Sequence, residues 1–228
     1  MMYRSSPPPV LVASFAFVLA GLVLALPRTS AAQQACSFDG QLQTNPEKLV
    51  ESEPVQGNPE ASLLVTEFFD PNCPHCKRFH PVMKKVLQQH GDQIRFFMQP
   101  VPLWAFSRAQ MQAMFIAKEK GKYYEMIDAQ LTSPNSGKGG MTTDQIVGLA
   151  EEIGLDPEWM RSSLQSGAKR PAVNRLTYEA RQAGIQSTPT LAIGKKVVSG
   201  RSAACIGQLI EQELSTETTS RSERDGQS

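Results

Sequence analysis

The sequence predicts an α/β fold in which a helical domain is inserted into a sheet. Three observations support this fold class. An apolar, β-rich run from Leu63 to Phe69 leads through a short turn into a segment with helical periodicity, and a second apolar run follows at residues 94–98. Helical patterns then occupy residues 107–184. Strand character returns only at residues 190–198, so the strands of the sheet come from both sides of the helical stretch.

The first strand and the segment after it predict a β–α–β unit. Asp70-Pro71-Asn72 favours a turn over a strand. The apolar residues that follow recur at the spacing of one helix face: Phe79, Val82, Met83, Val86 and Leu87. Gly91-Asp92 turns the chain into residues 94–98, and a right-handed crossover would place that strand parallel to the first.

Cys73-Pro74-His75-Cys76 lies at the start of this helix. Pro74 suits the first helical position, because its missing N–H would have no partner there. The unpaired N–H groups and the positive end of the helix dipole stabilise a thiolate, and in such settings a cysteine pKa falls from about 8.5 to roughly 3.5–7.5. His75 and Lys77 add nearby positive or polarisable groups. We predict that Cys73, open to solvent at the cap, is the nucleophile and that Cys76, one turn inside, resolves; a structural disulfide or half a metal site is the alternative.

Residues 107–184 carry signals for several helices. Thr142 with Gln145 is typical of a capping box, and Asp156-Pro157 is typical of a helix start. Gly184 is placed to end the last helix. We interpret the Met and aromatic stripes of this region as core rather than as cofactor contacts.

The two ends of the chain differ in character from its centre. Residues 33–54 are polar and weakly patterned, with an edge strand expected near Val55, and no apolar residue follows Ser215. We predict these regions, in chain order: signal peptide 1–32, N-terminal arm 33–54, first part of the sheet domain 55–106, helical insertion 107–184, second part of the sheet domain 185–214 and disordered tail 215–228.

The charge of the chain is nearly balanced, with 23 Lys and Arg residues against 22 Asp and Glu residues. No basic block interrupts this balance, so we expect no nucleic-acid partner. We also expect neither a metal ion nor an organic cofactor.

Residues 1–32 have the pattern of a secretory signal. Arg4 supplies the positive charge, Val10 to Leu26 is apolar, and Ser30-Ala31-Ala32 offers the small residues of a cleavage site. We expect cleavage after Ala32 and export to the periplasm or another extracytoplasmic compartment. An uncleaved membrane anchor is the alternative, although a spanning helix needs about 20 apolar residues.

Four cysteines allow three pairings. An exported protein can keep structural disulfides, because they persist in oxidising compartments. If Cys73 and Cys76 form one redox pair, Cys36 and Cys205 are left as a structural bridge. A buried free thiol at Cys205 is the alternative.

A second motif, Thr188-Pro189, stands directly before the predicted terminal hairpin of residues 190–198. With the CxxC motif of the β–α–β unit, it makes the chain resemble the DsbA-like family of exported thiol–disulfide oxidoreductases over about Val55 to Leu214. The resemblance implies a thioredoxin-like fold with an inserted helical domain, which agrees with the helical patterns described above.

The resemblance also implies roles for individual residues. Cys73 and Cys76 would be the catalytic pair, with the Pro-His dipeptide typical of the oxidases between them. Pro189 would be the cis-proline packed against the active disulfide, and Thr188 would offer backbone groups to a bound peptide. Glu67 would be the buried acidic residue beneath the disulfide and the proton acceptor for Cys76. From the residues alone, strand alternation places Glu67 on the same face as Phe69, and an edge charge that points to solvent is the alternative.

The function that the resemblance implies is oxidation of reduced exported proteins, with reoxidation by a DsbB-like or quinone-linked membrane partner. The first alternative is a disulfide isomerase or reductant, because Thr188 and the Asp-Pro-Asn-Cys lead-in are similar to DsbC and DsbG. The arm of residues 33–54 is short for the dimerisation segment of those isomerases.

A soft-metal carrier is a more distant alternative. Cys73 and Cys76, with His75 or Met98, could bind a soft cation. The sequence offers no second CxxC motif to complete a closed ligand set.

Overall fold

A mixed sheet of six strands forms the centre of the structure. The structure is a computed structural model that describes residues 36–50, 53–137 and 139–225. The strands are β1 (Phe38–Gln41), β2 (Gln56–Gly57), β3 (Leu63–Phe69), β4 (Ile94–Pro100), β5 (Thr190–Ile193) and β6 (Lys196–Val198). Their order across the sheet is β1-β6-β5-β3-β4-β2. Strands β3 and β4 pair in parallel, as the β–α–β pattern predicts, and the other neighbours pair antiparallel.

Seven helices accompany the sheet within the described ranges. They are α1 (Pro74–His90), α2 (Ser107–Lys118), α3 (Tyr123–Thr132), α4 (Thr143–Glu152), α5 (Pro157–Ser166), α6 (Arg170–Gln182) and α7 (Ala203–Asp225). Helices α2 to α6 lie between β4 and β5 in the chain, so the predicted α/β fold with an inserted helical domain is confirmed. The capping box of Thr142 and Gln145 is also formed at the start of α4.

Strand β3 is central in the sheet, and all seven of its residues are buried. Burial on both faces explains why the strand is mostly apolar without alternation, with only Thr66 and Glu67 as polar residues. Each fully buried Val, Leu or Phe side chain contributes about 1.5–3 kcal/mol. The strand therefore has the stability to hold Glu67 in the core, where it pairs in register with Met98 of β4 and Leu191 of β5.

Helix α1 carries the cysteine motif and packs against the core with Phe79, Met83 and Val86. Its C-terminal end lies close to α7. A Cβ atom on Gly207 would lie 2.5 Å from Nε2 of His90, so the His90 ring lies directly against this glycine where the two helices approach.

The insertion is bound to the sheet by buried hydrogen bonds. The Tyr123 hydroxyl donates to the Met98 carbonyl at 2.9 Å, and the Gln99 side chain donates to the Leu176 carbonyl at 3.1 Å. Because an unsatisfied buried polar group costs about 1–3 kcal/mol, these bonds favour a single docked position of the helices on β4.

The N-terminal arm has more structure than its weak pattern suggests. Strand β1 pairs with β6, with Phe38 opposite Val198, and a 3-10 turn spans Pro46–Leu49. The side chain of Glu53 is nearly inaccessible and forms ion pairs with Lys118 at 2.8 Å and Arg175 at 2.7 Å. These partners belong to other elements, so the local sequence could not reveal the arm's position. The signal predicted for residues 1–32 lies outside the described residues.

The prediction of a disordered tail from residue 215 is wrong for residues 215–225, which continue α7. No Gly or Pro occurs from residue 208 to residue 225, so nothing in this stretch breaks the helix. The hydroxyls of Ser215, Thr216 and Thr219 donate to the carbonyls four residues earlier. Glu217 also accepts a hydrogen bond from Ser62 at 2.7 Å, so the tail contacts the rest of the protein.

Among the residues that the structure describes, no helix combines the length and apolar character needed to cross a membrane.

Candidate active site

The end of β3 and the start of α1 place the two cysteines. Cys73 is the N-cap of α1 and Pro74 its first residue, as the sequence predicts. The Cys73 N–H donates to the Asp70 carbonyl at 3.0 Å, which closes the turn after the strand. Both cysteines are free thiols in this structure. The expectation that Cys73 is open to solvent is wrong for this state, since only 3% of the residue is exposed.

The two thiols have opposite electrostatic environments. A hydrogen bond from the Cys76 thiol is the main reason that the pKa of Cys73 is lowered to about 5. Burial opposes this effect, while the nearby Thr188 side chain and hydrogen bonds from the backbone N–H groups of Cys76 and His75 add to it. Burial, together with the donated hydrogen bond, raises the pKa of Cys76 far above its usual range. At neutral pH the pair therefore contains a Cys73 thiolate beside a Cys76 thiol.

Glu67 lies in the core, which excludes the alternative of a solvent-exposed edge charge. Neither carboxyl oxygen has a hydrogen-bond partner. Burial raises the pKa of Glu67 to about 8, with the positive charge of Arg201 acting against this shift and the negative charge of Cys73 adding to it. The carboxyl is therefore mostly protonated at pH 7. When it is ionised, its negative charge adds to the rise in the pKa of Cys76.

The loop before β5 closes the site from the other side. The Thr188–Pro189 peptide bond is cis. The Cys73 sulfur lies 3.4 Å from the Thr188 carbonyl oxygen. Backbone groups of Thr188 are thus placed beside the sulfur, where an extended peptide could pair with them.

His75 and Lys77 take different positions around the motif. His75 is exposed, and its Nδ1 accepts a hydrogen bond from Nη2 of Arg78 at 2.9 Å. The Lys77 ammonium points into the insertion, where it donates to the carbonyls of Ser133 at 2.6 Å and Ser136 at 3.0 Å. Lys77 therefore fixes α1 to the loop after α3 and does not contact the cysteine sulfurs.

Our sequence predictions did not include Asp70 as a site residue. Its buried carboxylate accepts hydrogen bonds from the Asn72 N–H at 2.8 Å, the Leu103 N–H at 2.8 Å and the Ser107 hydroxyl at 2.9 Å. Burial raises the pKa of Asp70, and these hydrogen bonds counteract that effect. The carboxylate joins the turn before Cys73 to the segment that leads into α2.

Asn72 is a second residue that the sequence indicated only as a turn former. Its side-chain amide donates to the Ser107 hydroxyl at 3.0 Å and to the Gln110 side chain at 2.7 Å, and its oxygen accepts from the Gly137 N–H at 2.9 Å. The residue before the nucleophile is thus held by α2 and by the loop after α3. Polar residues between a buried strand and a cysteine were the available signal, but their partners lie in distant parts of the sequence.

Cys36 and Cys205 are joined by a disulfide, with their Cα atoms 5.3 Å apart. The bridge links Cys36, two residues before β1, to the first turn of α7. It is separate from the Cys73 and Cys76 thiols.

No group of three His, Cys, Asp or Glu side chains in residues 36–50, 53–137 and 139–225 is arranged to hold a metal ion. Of the side chains predicted to join the two cysteines in a soft-metal site, His75 accepts a hydrogen bond from Arg78 and Met98 is buried in the core.

A family model described as Thioredoxin matches residues 49–212 of the chain. The fold is also similar to solved structures. A thioredoxin-like oxidoreductase from Silicibacter pomeroyi DSS-3 is 24% identical, with a TM-score of 0.65 over 75% of this chain and 99% of that chain. BdbD from Bacillus subtilis is 24% identical, with a TM-score of 0.68 over 78% of this chain and 98% of that one. DsbA from Chlamydia trachomatis is 19% identical, with a TM-score of 0.65 over 79% and 98%. The expected thioredoxin-like fold with a helical insertion is thus confirmed.

Three curated proteins also match part of the chain, among them the following two. The Na(+)/H(+) antiporter NhaA of Herminiimonas arsenicoxydans is 23% identical over 158 residues, which are 69% of this chain and 25% of the antiporter. NhaA 1 of Salinispora arenicola is 28% identical over 142 residues, or 60% of this chain and 21% of that protein. The chain thus spans a quarter or less of the length of these relatives.

Proposed function

This chain belongs to the thioredoxin family, and we propose that it is an exported thiol–disulfide oxidoreductase that introduces disulfides into reduced proteins through Cys73 and Cys76. The observation that carries this proposal is the contrast between the two thiols. The pKa of Cys73 is lowered to about 5 while that of Cys76 is raised, so one cysteine is a good leaving group and the other holds its proton.

The reaction begins from the oxidised protein, in which Cys73 and Cys76 form a disulfide. A substrate thiolate attacks the Cys73 sulfur, the Cys73–Cys76 bond breaks, and a mixed disulfide forms. Cys76 leaves as a thiolate and takes up a proton. The second substrate thiolate then attacks the substrate sulfur of the mixed disulfide and releases Cys73 as a thiolate. Two substrate thiols are oxidised, and the protein's disulfide is reduced to the dithiol state.

Glu67 is the residue suited to handle the proton at Cys76. Its carboxyl, with a pKa of about 8, carries a proton at pH 7 that can be given up when the Cys76 thiolate is released. In the reverse step, reoxidation by a DsbB-like or quinone-linked membrane partner, the ionised form accepts the proton. The buried carboxyl of Glu67 can thus donate a proton to Cys76 when the protein's disulfide is reduced and accept one when it is re-formed.

Whether the protein oxidises or reduces its substrates depends on the stability of its reduced state. A thioredoxin-fold protein whose reduced form is stabilised is a strong oxidant. The Cys73 thiolate is stabilised by Cys76, Thr188 and two backbone N–H groups, which favours oxidation of substrates. An isomerase or reductant is the second candidate, because Thr188 precedes the cis-proline as in DsbC-like and DsbG-like proteins.

Two substrates distinguish these functions. Reduced ribonuclease A requires disulfide formation, whereas ribonuclease A with scrambled disulfides requires isomerisation. We expect the oxidised protein to restore activity to the reduced enzyme and the reduced protein to have little effect on the scrambled one. Efficient rescue of the scrambled enzyme only would favour the isomerase.

Export to an oxidising compartment is part of the proposal. The bridge between Cys36 and Cys205 and the signal-like residues 1–32 support it, because structural disulfides are rare in the cytosol. N-terminal sequencing of the protein from a periplasmic extract should give Gln33. Recovery of the uncleaved chain in the membrane fraction would instead favour an anchor.

A further inference from the structure

A groove of about 510 Å³ lies beside the active site. One wall is formed by His75, Arg78 and Phe79 of α1, and the other contains Thr188, Pro189 and Arg201. A peptide that pairs with Thr188 to reach the Cys73 sulfur would place neighbouring side chains in this groove. Its chemistry therefore bears on which peptides react.

Arg201 is held in place by uncharged partners. Its Nη2 donates to the Pro189 carbonyl at 3.0 Å, and its guanidinium lies 5.5 Å from the centre of the Phe79 ring. These contacts fix the side chain without neutralising it. In the part of the chain that the structure describes, Arg201 forms no ion pair with a carboxylate.

Arg78 adds a second positive charge on the opposite wall. It is exposed, its described hydrogen bond goes to Nδ1 of His75 at 2.9 Å, and within the described ranges it too forms no ion pair. The groove has no Asp or Glu in its lining. The buried Glu67 interacts electrostatically with Arg201, but the raised pKa of Glu67 leaves its carboxyl mostly uncharged at pH 7.

We infer that Arg78 and Arg201 select peptides that carry an acidic side chain next to the reacting cysteine. The inference rests on the proposed function. Arginine recognises carboxylates through charge-assisted hydrogen bonds, and Arg201 is already oriented before the peptide binds. The carboxylate takes no part in the exchange itself. It promotes the step in which the substrate thiolate attacks Cys73, the Cys73–Cys76 bond breaks and the mixed disulfide forms.

The test uses two peptides with one cysteine each, identical except for Glu or Gln on both sides of it. The rate of mixed-disulfide formation with the oxidised protein is measured for each. A neighbouring carboxylate also changes the cysteine's own reactivity, so each rate is divided by the rate of the same peptide with hydroxyethyl disulfide, which is uncharged. The normalised rate with the Glu peptide is then divided by that with the Gln peptide. We expect each arginine that contacts the peptide to raise this ratio by a factor of about 2–5.

Three variants locate the effect. The ratio should fall towards one in Arg78→Gln and Arg201→Gln, and it should be unchanged in Lys85→Gln, which removes an equal charge from an exposed position of α1 outside the groove. Because the readout is a ratio, a general loss of activity in Arg201→Gln does not affect it. The ratio of the wild type should also decrease at 1 M NaCl, because exposed charges are screened.

The outcomes separate the two proposals. A wild-type ratio of one, with both peptides reacting, would overturn the inference and leave the proposed function intact. The same holds for a preference that persists in both arginine variants. If neither peptide forms a mixed disulfide while both react with hydroxyethyl disulfide, the proposed function itself fails.

Discussion

The Cys73 sulfur lies 3.4 Å from the carbonyl oxygen of Thr188, although the two residues are 115 positions apart in the chain. The contact joins the end of the first sheet part to the beginning of the second, across the whole helical insertion. It also places the nucleophile beside backbone groups able to bind an extended peptide. The reacting sulfur and the peptide-binding backbone are thus parts of one site.

The two cysteines should behave differently when each is replaced. Cys73→Ser should abolish thiol exchange, because it removes the sulfur whose pKa is lowered to about 5. Cys76→Ser should accumulate mixed disulfides that form when the Cys73 thiolate attacks substrate disulfides, because Cys76 is no longer there to displace the substrate from Cys73. Non-reducing gels and iodoacetamide labelling at pH 7 check both. Faster labelling of Cys76 than of Cys73 in the reduced wild type would reverse the assigned roles.

The pH dependence of stability should reveal Glu67. The lowered pKa of Cys73 stabilises the reduced protein increasingly as pH rises from about 5 towards its ordinary value, near 9.0. The raised pKa of Glu67 acts oppositely: its contribution is complete below about 4.5 and is lost as pH rises through about 8. Between pH 5 and 8 the two effects oppose each other.

Glu67→Gln removes one of these effects. Unfolding of the reduced variant in urea should show stability rising between pH 5 and 8, by up to about 1.4 kcal/mol per pH unit, while the wild type is flatter. Equal slopes for the two proteins would contradict the assigned pKa of Glu67.

Asn72→Ala should destabilise the protein by about 1–3 kcal/mol, because Gln110 and Gly137 lose a buried partner. Asn135→Ala is the matched control, since its side chain is exposed in the loop after α3, and its effect should stay within about 0.5 kcal/mol. Urea unfolding measures both. Similar small losses would show that the Asn72 contacts contribute little.

Removal of the disulfide between Cys36 and Cys205 should reduce the stability of the protein without preventing thiol–disulfide exchange. The double variant Cys36→Ala with Cys205→Ala should lose about 2–5 kcal/mol of unfolding free energy, because the bridge closes a loop with a separation of 169 residues. Thiol exchange at 25 °C should continue, since the bridge does not involve Cys73 or Cys76. A non-reduced digest of the wild type in which Cys36 and Cys205 are free thiols would remove the basis of this prediction.

The redox potential should lie nearer about −120 mV than about −270 mV, the values of a strongly oxidising and a reducing thioredoxin-fold protein. The reason is the stabilised Cys73 thiolate of the reduced form. Equilibration with glutathione buffers measures the potential. A value at the reducing end, or a reduced Cys73 at steady state in the cell, would be incompatible with an oxidase.

The sequence alone determined the elements that depend on local patterns. The apolar run of β3, the turn after it and Pro74 at the first helical position predict where the cysteines lie, because each signal involves neighbouring residues. The capping box of Thr142 and Gln145 is local for the same reason. The CxxC and Thr-Pro motifs were sufficient to indicate the family, since both are short stretches of sequence.

Only the tertiary structure decided the environment of those residues. The burial of Cys73, the side of the strand on which Glu67 lies and the position of Arg201 beside Phe79 depend on elements far apart in sequence. The polar network of Asn72 does so as well. Burial and pKa values arise from such neighbours, because desolvation and hydrogen bonding act through space. Periodicity within one helix or strand cannot identify the residues that another element will supply.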